Sequence, residues 1–205
     1  MTGSGLQSAP KATPARTAGV YRAAAELMVK RGFGGTSISD IAQAVGMTKA
    51  GLYHHISGKQ DMLYQIFNHA MDELERIVTA PVRLIEDPEE RLRQLMRLQI
   101  QGQVQHGLAF TLLFSEINHL VPAQQEEIRG RIRKHHALIR ETLRELAENG
   151  QLRNLDVNIA TMHIMNAMTG VARWKHNDFA SEEEHLIRET VAYTMAALLK
   201  PAREL

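Results

Sequence analysis

The sequence contains no cysteine, so no disulfide can stabilise the fold and no thiol can act as a nucleophile or a metal ligand. Long hydrophobic runs are also missing, because no apolar stretch approaches the roughly 18 residues that a membrane-spanning helix needs. The N-terminus lacks the basic and then apolar pattern of a signal peptide. These absences predict a soluble protein of the reducing cytoplasm.

Patterns typical of β-strands are absent as well. No alternating runs of β-branched residues occur, and no Asn-Gly turn joins such runs. Apolar residues recur at steps of three and four instead, which predicts an all-α architecture of about nine helices. The chain has 205 residues, of which 44% are hydrophobic, and can bury one large core or a small core and a medium one.

Residue sets that carry catalysis are missing too. The sequence has no His-Glu-x-x-His motif and no phosphate-binding loop. The pairs His54-His55 and His135-His136 are adjacent, and adjacent residues of a helix point in different directions. We therefore predict a protein that is not an enzyme, with no catalytic residues, no metal site and no cofactor.

The charges present are distributed unevenly. The net charge is +1, but residues 1–62 carry seven Lys or Arg against three Asp or Glu, whereas the remaining residues have a net charge of −3. A basic segment beside a neutral or acidic one is typical of a protein whose basic part binds nucleic acid.

This basic segment contains a pattern of two short helices, Ser37–Ile56, with the sequence SISDIAQAVGMTKAGLYHHI. Ser37 and Asp40 form a capping-box pattern, Gly46 is a turn former, and Thr48 can cap a second helix. This spacing is typical of a helix-turn-helix, in which the second helix enters the DNA major groove. The alternative is an ordinary helical hairpin of an all-α domain.

The flanking residues favour the first interpretation. Phe33-Gly34-Gly35-Thr36-Ser37 precedes the unit, and Leu52-Tyr53-His54-His55-Ile56-Ser57-Gly58-Lys59-Gln60-Asp61-Met62-Leu63 follows it. With the Asp-Ile-Ala core and the Gly turn, this stretch resembles the N-terminal domain of the TetR family of bacterial transcriptional repressors. Gly58 departs from the family's usual Ser-Lys or Asn-Lys pair but leaves Lys59 in place.

The resemblance implies which residues contact a double-stranded DNA operator. Lys49 would face a base edge or a phosphate, Ala50 would make an apolar or backbone contact, and Tyr53 and His54 would hold phosphates. For each residue, a solvated surface position is the alternative, and for Tyr53 partial packing is another. The full set is Thr36, Ser37, Thr48, Lys49, Ala50, Gly51, Tyr53, His54 and Lys59.

Helix start and stop signals along the chain predict three segments. Residues 1–14 lack an apolar period and are expected to form a flexible arm, residues 15–62 the DNA-binding domain, and residues 63–205 a larger helical domain for ligand binding and dimerisation. One long helix from Ser57 to Thr79 would link the last two. Farther along, Gly107 is predicted to break a helix.

The last two helices are predicted to form a dimer interface. Residues 157–174 and 186–199 are apolar on more than one stripe and contain many Ala, Gly and Thr residues. A helix with two apolar stripes needs two neighbours, and two copies of this pair would form a four-helix bundle. The resemblance implies the same homodimer. The alternative is that both helices belong to the core of the monomer.

The larger domain is expected to bind a small-molecule effector in a pliable apolar cavity rich in methionine. On the apolar helix, His163 and Asn166 should meet a partner, a water or a ligand because unpaired buried polar groups are costly. A looser resemblance to TetR-family regulators of fatty-acid, sterol or aromatic-acid breakdown implies an acyl-CoA. The predicted ligand residues are Phe110, Phe114, Met162, His163, Met165, Asn166, Arg173 and Trp174.

Two interpretations of function therefore remain open. The first is a homodimeric repressor that an effector releases from a palindromic operator. The second is a DNA-binding regulator or architectural protein without an effector, which the absence of a ligand-sized cavity would favour.

Overall fold

The computed structural model describes residues 14–174 and 183–201. Side chains of residues 14–16, 105, 106, 108, 111, 114 and 172–174 are outside this description, as is most of the predicted arm. The helices are α1 (Pro14–Arg31), α2 (Ile38–Ala44), α3 (Lys49–Tyr53), α4 (Lys59–Leu74), α5 (Ala80–Val82), α6 (Pro88–Glu116), α7 (Pro122–Glu148), α8 (Val157–Trp174) and α9 (Glu183–Leu198).

The predicted all-α architecture is confirmed. Within the described ranges, the only β-type pairing is an isolated bridge between Leu152 and Leu199. None of the helices described there combines the length and the apolar character that crossing a bilayer requires.

Local signals in the sequence start and stop several helices. The side chain of Asp87 accepts a hydrogen bond from the backbone at the start of α6, and Asp156 does the same for α8. These caps satisfy backbone N–H groups that have no partner within the helix. Gly150, just beyond α7, has a φ of +73°, a conformation that favours glycine.

One predicted boundary is wrong, and one predicted helix has a local irregularity. Gly107 does not break a helix, because α6 continues from Pro88 to Glu116. A glycine inside a helix costs about 1 kcal/mol relative to alanine, which the packing of so long a helix offsets. The long helix predicted to reach Thr79 does extend that far, but beyond Leu74 it continues as a π-helical turn, Glu75–Thr79. This turn shifts the helical register, so that the adjacent residues Val78 and Thr79 are both buried.

The described chain divides into two compact units at residues 66 and 67. In the first unit, α1 packs against α2, and α2 packs against α3. Its core consists of aliphatic side chains that are almost completely buried, namely Ala24, Met28, Ile41, Leu52, Met62 and Leu63.

In the second unit, α6 is the central helix and packs against α7, α8 and α9. Each of the four helices contributes aliphatic side chains to one core, among them Leu92, Leu95, Met96, Ile139, Leu143, Ile164, Met168, Ile187 and Val191. Arg91 of α6 forms an ion pair of 2.8 Å with Glu145 of α7 and donates to the carbonyl oxygen of Ile85. These contacts hold α6 and α7 in register.

Candidate functional site

The helix-turn-helix begins with the predicted capping box. The backbone N–H of Asp40 donates to Ser37 Oγ at 3.1 Å, and the backbone N–H of Ser37 donates to Asp40 Oδ2 at 2.8 Å. The hydrogen bond from the Ser37 hydroxyl, followed by the one from its backbone, lowers the pKa of the Asp40 carboxyl. The start of α2 is therefore fixed by its own sequence.

The turn between α2 and α3 is closed by backbone and side-chain contacts. Gly46 has a φ of +65°, and the backbone N–H of Met47 donates to the carbonyl oxygen of Ala42 at 2.9 Å. Thr48 Oγ1 then caps α3 by accepting from the backbone N–H of Gly51 at 3.0 Å. Leu52 is completely buried and fixes the rotation of α3 on the rest of the unit.

This rotation leaves one face of α3 at the surface. Tyr53 is 47% exposed, while Gly51 is half-buried. The exposed residues of α3 and its two caps are Thr48, Lys49, Ala50, Tyr53 and His54. The predicted DNA-binding residues of this helix are thus brought together on one accessible face, and their contact with DNA stays a prediction.

The side chains of Thr36 and Lys59 are not free at the surface, because both bond to backbone carbonyl oxygens of the protein. The side chain of Thr36 is buried, and its hydroxyl donates to the carbonyl oxygen of Gly32 at 2.9 Å. Lys59 Nζ donates to the carbonyl oxygen of Phe33 at 2.7 Å and lies 4.4 Å from the centre of the Phe33 ring. Both side chains hold the loop that precedes α2. The predicted phosphate contact of the Thr36 side chain is corrected to this structural role.

The second unit contains a cavity of about 780 Å³ among α4, α6, α7 and α8. Four predicted ligand residues line it: Phe110, Met162, Met165 and Asn166. Leu74 of α4 and Leu113 of α6 add apolar surface. The predicted residues Phe114, Arg173 and Trp174 have side chains outside the described set.

His163 and Asn166 do not have the buried environment that the sequence predicted. Both are exposed on the single chain, because α8 turns Ile164 and Met168 into the core instead. His163 does not line the cavity, whereas Asn166 lies at its edge. The expectation that both residues are buried is therefore corrected.

Sequence reasoning missed a buried polar cluster on the cavity wall. The ring of His135 lies 2.7 Å from Gln99 Oε1 through Nε2 and 3.3 Å from Thr79 Oγ1 through Nδ1. Burial, then the nearby His136 and Arg83, lowers the pKa of His135 to about 4, so the ring is neutral at pH 7. Its place in the apolar stripe of α7 was the signal that could have identified it.

A smaller pocket of about 320 Å³ adjoins this cavity. The two spaces share Met71, Leu74 and His135 as lining residues. The lining of the smaller pocket also has three cationic side chains, Arg83, Arg131 and Lys134, against one carboxylate, Glu75, so it is basic overall. Arg83 forms an ion pair with Glu75 at 3.0 Å, and Arg131 forms one with Asp72 at 2.6 Å. Lys134 has no ion pair within the described part of the chain.

Titratable groups in the described ranges form no metal site, because no cluster of three His, Asp or Glu side chains there could hold an ion.

Two family profiles match the chain. The profile described as bacterial regulatory proteins, tetR family, matches residues 20–66. The profile described as tetracyclin repressor-like, C-terminal domain, matches residues 86–198.

Among known proteins, the chain is similar to two HTH-type transcriptional repressors named KstR2. The one from Rhodococcus jostii (strain RHA1) is 23% identical over 183 residues, which is 87% of this chain and 88% of that protein. The one from Mycobacterium tuberculosis (strain ATCC 25618 / H37Rv) is 25% identical over 154 residues, which is 74% of this chain and 76% of that protein.

Among solved structures, AibR in complex with isovaleryl coenzyme A and operator DNA is 30% identical, with a TM-score of 0.78 over 87% of this chain and 97% of AibR. The structure of KstR2 of Mycobacterium tuberculosis is 21% identical, with a TM-score of 0.82 over 92% of this chain and 97% of KstR2. At this lower identity, the likeness shows the fold alone.

The family profiles cover both the helix-turn-helix and most of the larger unit. TetR-family proteins are DNA-binding regulators without enzymatic activity, so the prediction that the protein is not an enzyme is confirmed. The chain belongs to the TetR family of bacterial transcriptional regulators.

Proposed function

We propose that the protein is a homodimeric cytoplasmic repressor that binds a palindromic operator and is released when an apolar or acyl-CoA-type effector fills the cavity of the larger unit. The observation that carries this proposal is the cavity itself, about 780 Å³ within residues 67–205. A space of this size is in the usual range of small-molecule sites. It favours the effector-responsive repressor over a DNA-binding protein without an effector.

In this proposal, residues 15–62 form the DNA-binding domain and α3 enters the major groove by its N-terminal residues. The exposure of Lys49, Ala50, Tyr53 and His54 supports the assignment. Lys49 contacts a base edge or a phosphate, and Ala50 makes an apolar contact. Tyr53 and His54 hold phosphates. Ser37, Thr48, Gly51 and Lys59 complete the surface, while Thr36 is left out because its side chain is buried.

The proposed dimer forms through α8 and α9. Both helices expose large apolar side chains on the single chain: Tyr193 is 82% exposed, Met162 63% and Ile159 54%. Large apolar side chains exposed on both helices support an association surface there. Two copies related by a two-fold axis would present their recognition helices to half-sites about one turn of DNA apart.

The proposed effector places its apolar part in the cavity and its anionic part in the adjoining basic pocket. Phe110, Leu113 and Met165 supply the apolar wall. Lys134, which has no ion pair in the described ranges, supplies a cation for a CoA phosphate. The two spaces share three lining residues, which supports one ligand reaching both, and the isovaleryl coenzyme A bound to AibR supports this ligand class.

The signal is proposed to pass along α4. This helix begins at Lys59, beside the helix-turn-helix in sequence, and Met71 and Leu74 at its other end line the cavity. An effector that prefers a shifted α4 lowers operator affinity by the difference in its affinity for the two states. Couplings of this kind are typically about 1 to 3 kcal/mol, or roughly 5- to 150-fold in operator affinity.

The test is a titration of fluorescent operator DNA with the full chain at fixed salt. Isovaleryl-CoA and octanoyl-CoA should weaken binding more than free CoA does. Lys134→Glu should reduce the response to acyl-CoA, whereas Arg144→Glu should leave it unchanged, because Arg144 is exposed on α7 and lines neither space. Operator binding that ignores every acyl-CoA would contradict the effector class and favour a regulator without an effector.

A further inference from the structure

The cavity wall contains more polar side chains than a hydrocarbon chain would require. Gln99 and Gln103 are four residues apart on α6, so both point from the same face of the helix. Both line the cavity, and they are only 3% and 4% exposed. Burying an amide costs free energy unless its polar atoms find partners, so each of these groups needs one.

The carbonyl oxygen of Gln99 has its partner. Because this oxygen only accepts, the proton on the neutral His135 ring lies on Nε2 and is donated across the 2.7 Å contact. His135 Nδ1 is then an acceptor, and the hydroxyl of Thr79 donates to it at 3.3 Å. The hydroxyl of Thr161, also on the cavity wall, donates to the carbonyl oxygen of Val157 at 2.7 Å. These groups are satisfied without a ligand.

Gln103 is the exception. Its Oε1 is buried and has no hydrogen-bond partner within the described part of the chain. A buried acceptor without a partner is rare in native proteins and calls for an unseen donor. The side chain lines the cavity, so a ligand in that space contacts this residue.

We infer that the effector carries a hydroxyl group on its buried part and that this hydroxyl donates a hydrogen bond to Gln103. The ligand class is then a hydroxylated acyl or ring compound, held by one directional contact among apolar ones. Gln103 is the residue that distinguishes this compound from its unhydroxylated or ketone analogue. The inference rests on the proposed function, because it takes this cavity as the effector site.

Matched small probes test the contact without CoA. Cyclohexanol can donate a hydrogen bond, whereas cyclohexanone has nearly the same shape and can only accept one. The full chain, labelled with ¹³C in its methionine methyl groups, reports binding through Met71 and Met165, which line the cavity. We expect cyclohexanol to bind about two- to ten-fold more tightly than cyclohexanone, as a typical net hydrogen bond would give.

The variant Gln103→Leu replaces the amide with a shorter apolar side chain and should remove this preference while leaving cyclohexanone affinity unchanged or improved. It should fold, because it replaces an unsatisfied buried amide with an apolar group. The control is Gln101→Leu, on the exposed face of α6, which should keep the preference. Three results would each overturn the inference. The unmodified chain could bind cyclohexanol and cyclohexanone with equal affinity, Gln103→Leu could keep the preference for cyclohexanol, or cyclohexanol could fail to bind up to its solubility limit.

A second pair separates this inference from the proposed function. 3-Hydroxyoctanoyl-CoA and octanoyl-CoA are compared for release of operator DNA. If cyclohexanol shows the expected preference and neither CoA ester releases the operator, the hydroxyl contact stands and the acyl-CoA class fails. If both esters release the operator and cyclohexanol shows no preference, the repressor function stands and the hydroxyl contact fails.

Discussion

His135→Gln should remove a pH dependence of stability that the buried ring imposes. Burial lowers the pKa of His135 from 6.5 to about 4, so the unfolded chain takes up a proton on this residue at a higher pH than the folded chain. The contribution of the neutral ring is therefore complete at neutral pH and is lost as the pH falls from about 6.5 toward 4. Between pH 7 and pH 5, these two pKa values correspond to a loss of about 2 kcal/mol.

The assay is urea unfolding at pH 7 and pH 5 at one protein concentration, since self-association alters apparent stability. The unmodified chain should lose about 2 kcal/mol more than His135→Gln over this interval. His55→Gln, at an exposed position of the first unit, is the control and should keep the loss seen in the unmodified chain. Identical pH dependences in the unmodified chain and His135→Gln would refute the reasoning.

Three further predictions concern the DNA surface and the dimer. Thr48→Ala removes the hydroxyl that caps α3 and should destabilise the first unit by about 1 kcal/mol in urea unfolding; an unchanged midpoint would contradict the cap. Lys49→Ala should weaken operator binding several-fold and lower the salt dependence of binding, without changing thermal stability. The control is Lys30→Ala, at an exposed position of α1, which should leave operator affinity and its salt dependence unchanged. Met162→Glu should yield monomers in sedimentation, whereas Leu84→Glu, at an 85% exposed loop position, should leave the dimer intact.

The sequence predicted best where a structure depends on residues close together in the chain. The capping box of Ser37 and Asp40, the turn at Gly46 and the cap at Thr48 each involve residues within about one helical turn. The partners of these hydrogen bonds lie within a few residues of each other, so the pattern alone identifies them. The anchor Leu52 followed from the helical period of the same stretch.

Contacts between distant residues were not accessible in this way. Lys59 was predicted only as a DNA contact, and the pattern did not indicate that its ammonium also donates to the carbonyl oxygen of Phe33, 26 residues earlier. Thr36 was expected at the surface, but it folds back onto the end of α1 through Gly32 and Leu27. Such placements depend on how helices pack, which the residue types and their spacing do not specify.

The sequence predicted an apolar cavity and several of its lining residues, but it did not predict the polar side chains of the cavity wall. Apolar periodicity identified Phe110, Met162 and Met165 as candidates, and all three line the cavity. The cluster around His135 joins residues of the π turn, α6 and α7, and no local pattern places those three elements together. The break expected at Gly107 failed for a related reason, since tertiary packing outweighs a single unfavourable residue.

The central claim, a repressor released from its operator by an effector, is tested most directly by selecting bound fragments from a genomic DNA pool. The selection is made at fixed salt, because phosphate contacts make affinity steeply salt-dependent. It is run without ligand and with a panel of acyl-CoAs that includes hydroxylated chains. We predict a palindromic sequence that is enriched without ligand and lost with at least one acyl-CoA. Absence of any enriched sequence, or a palindrome retained with every acyl-CoA, would contradict the account.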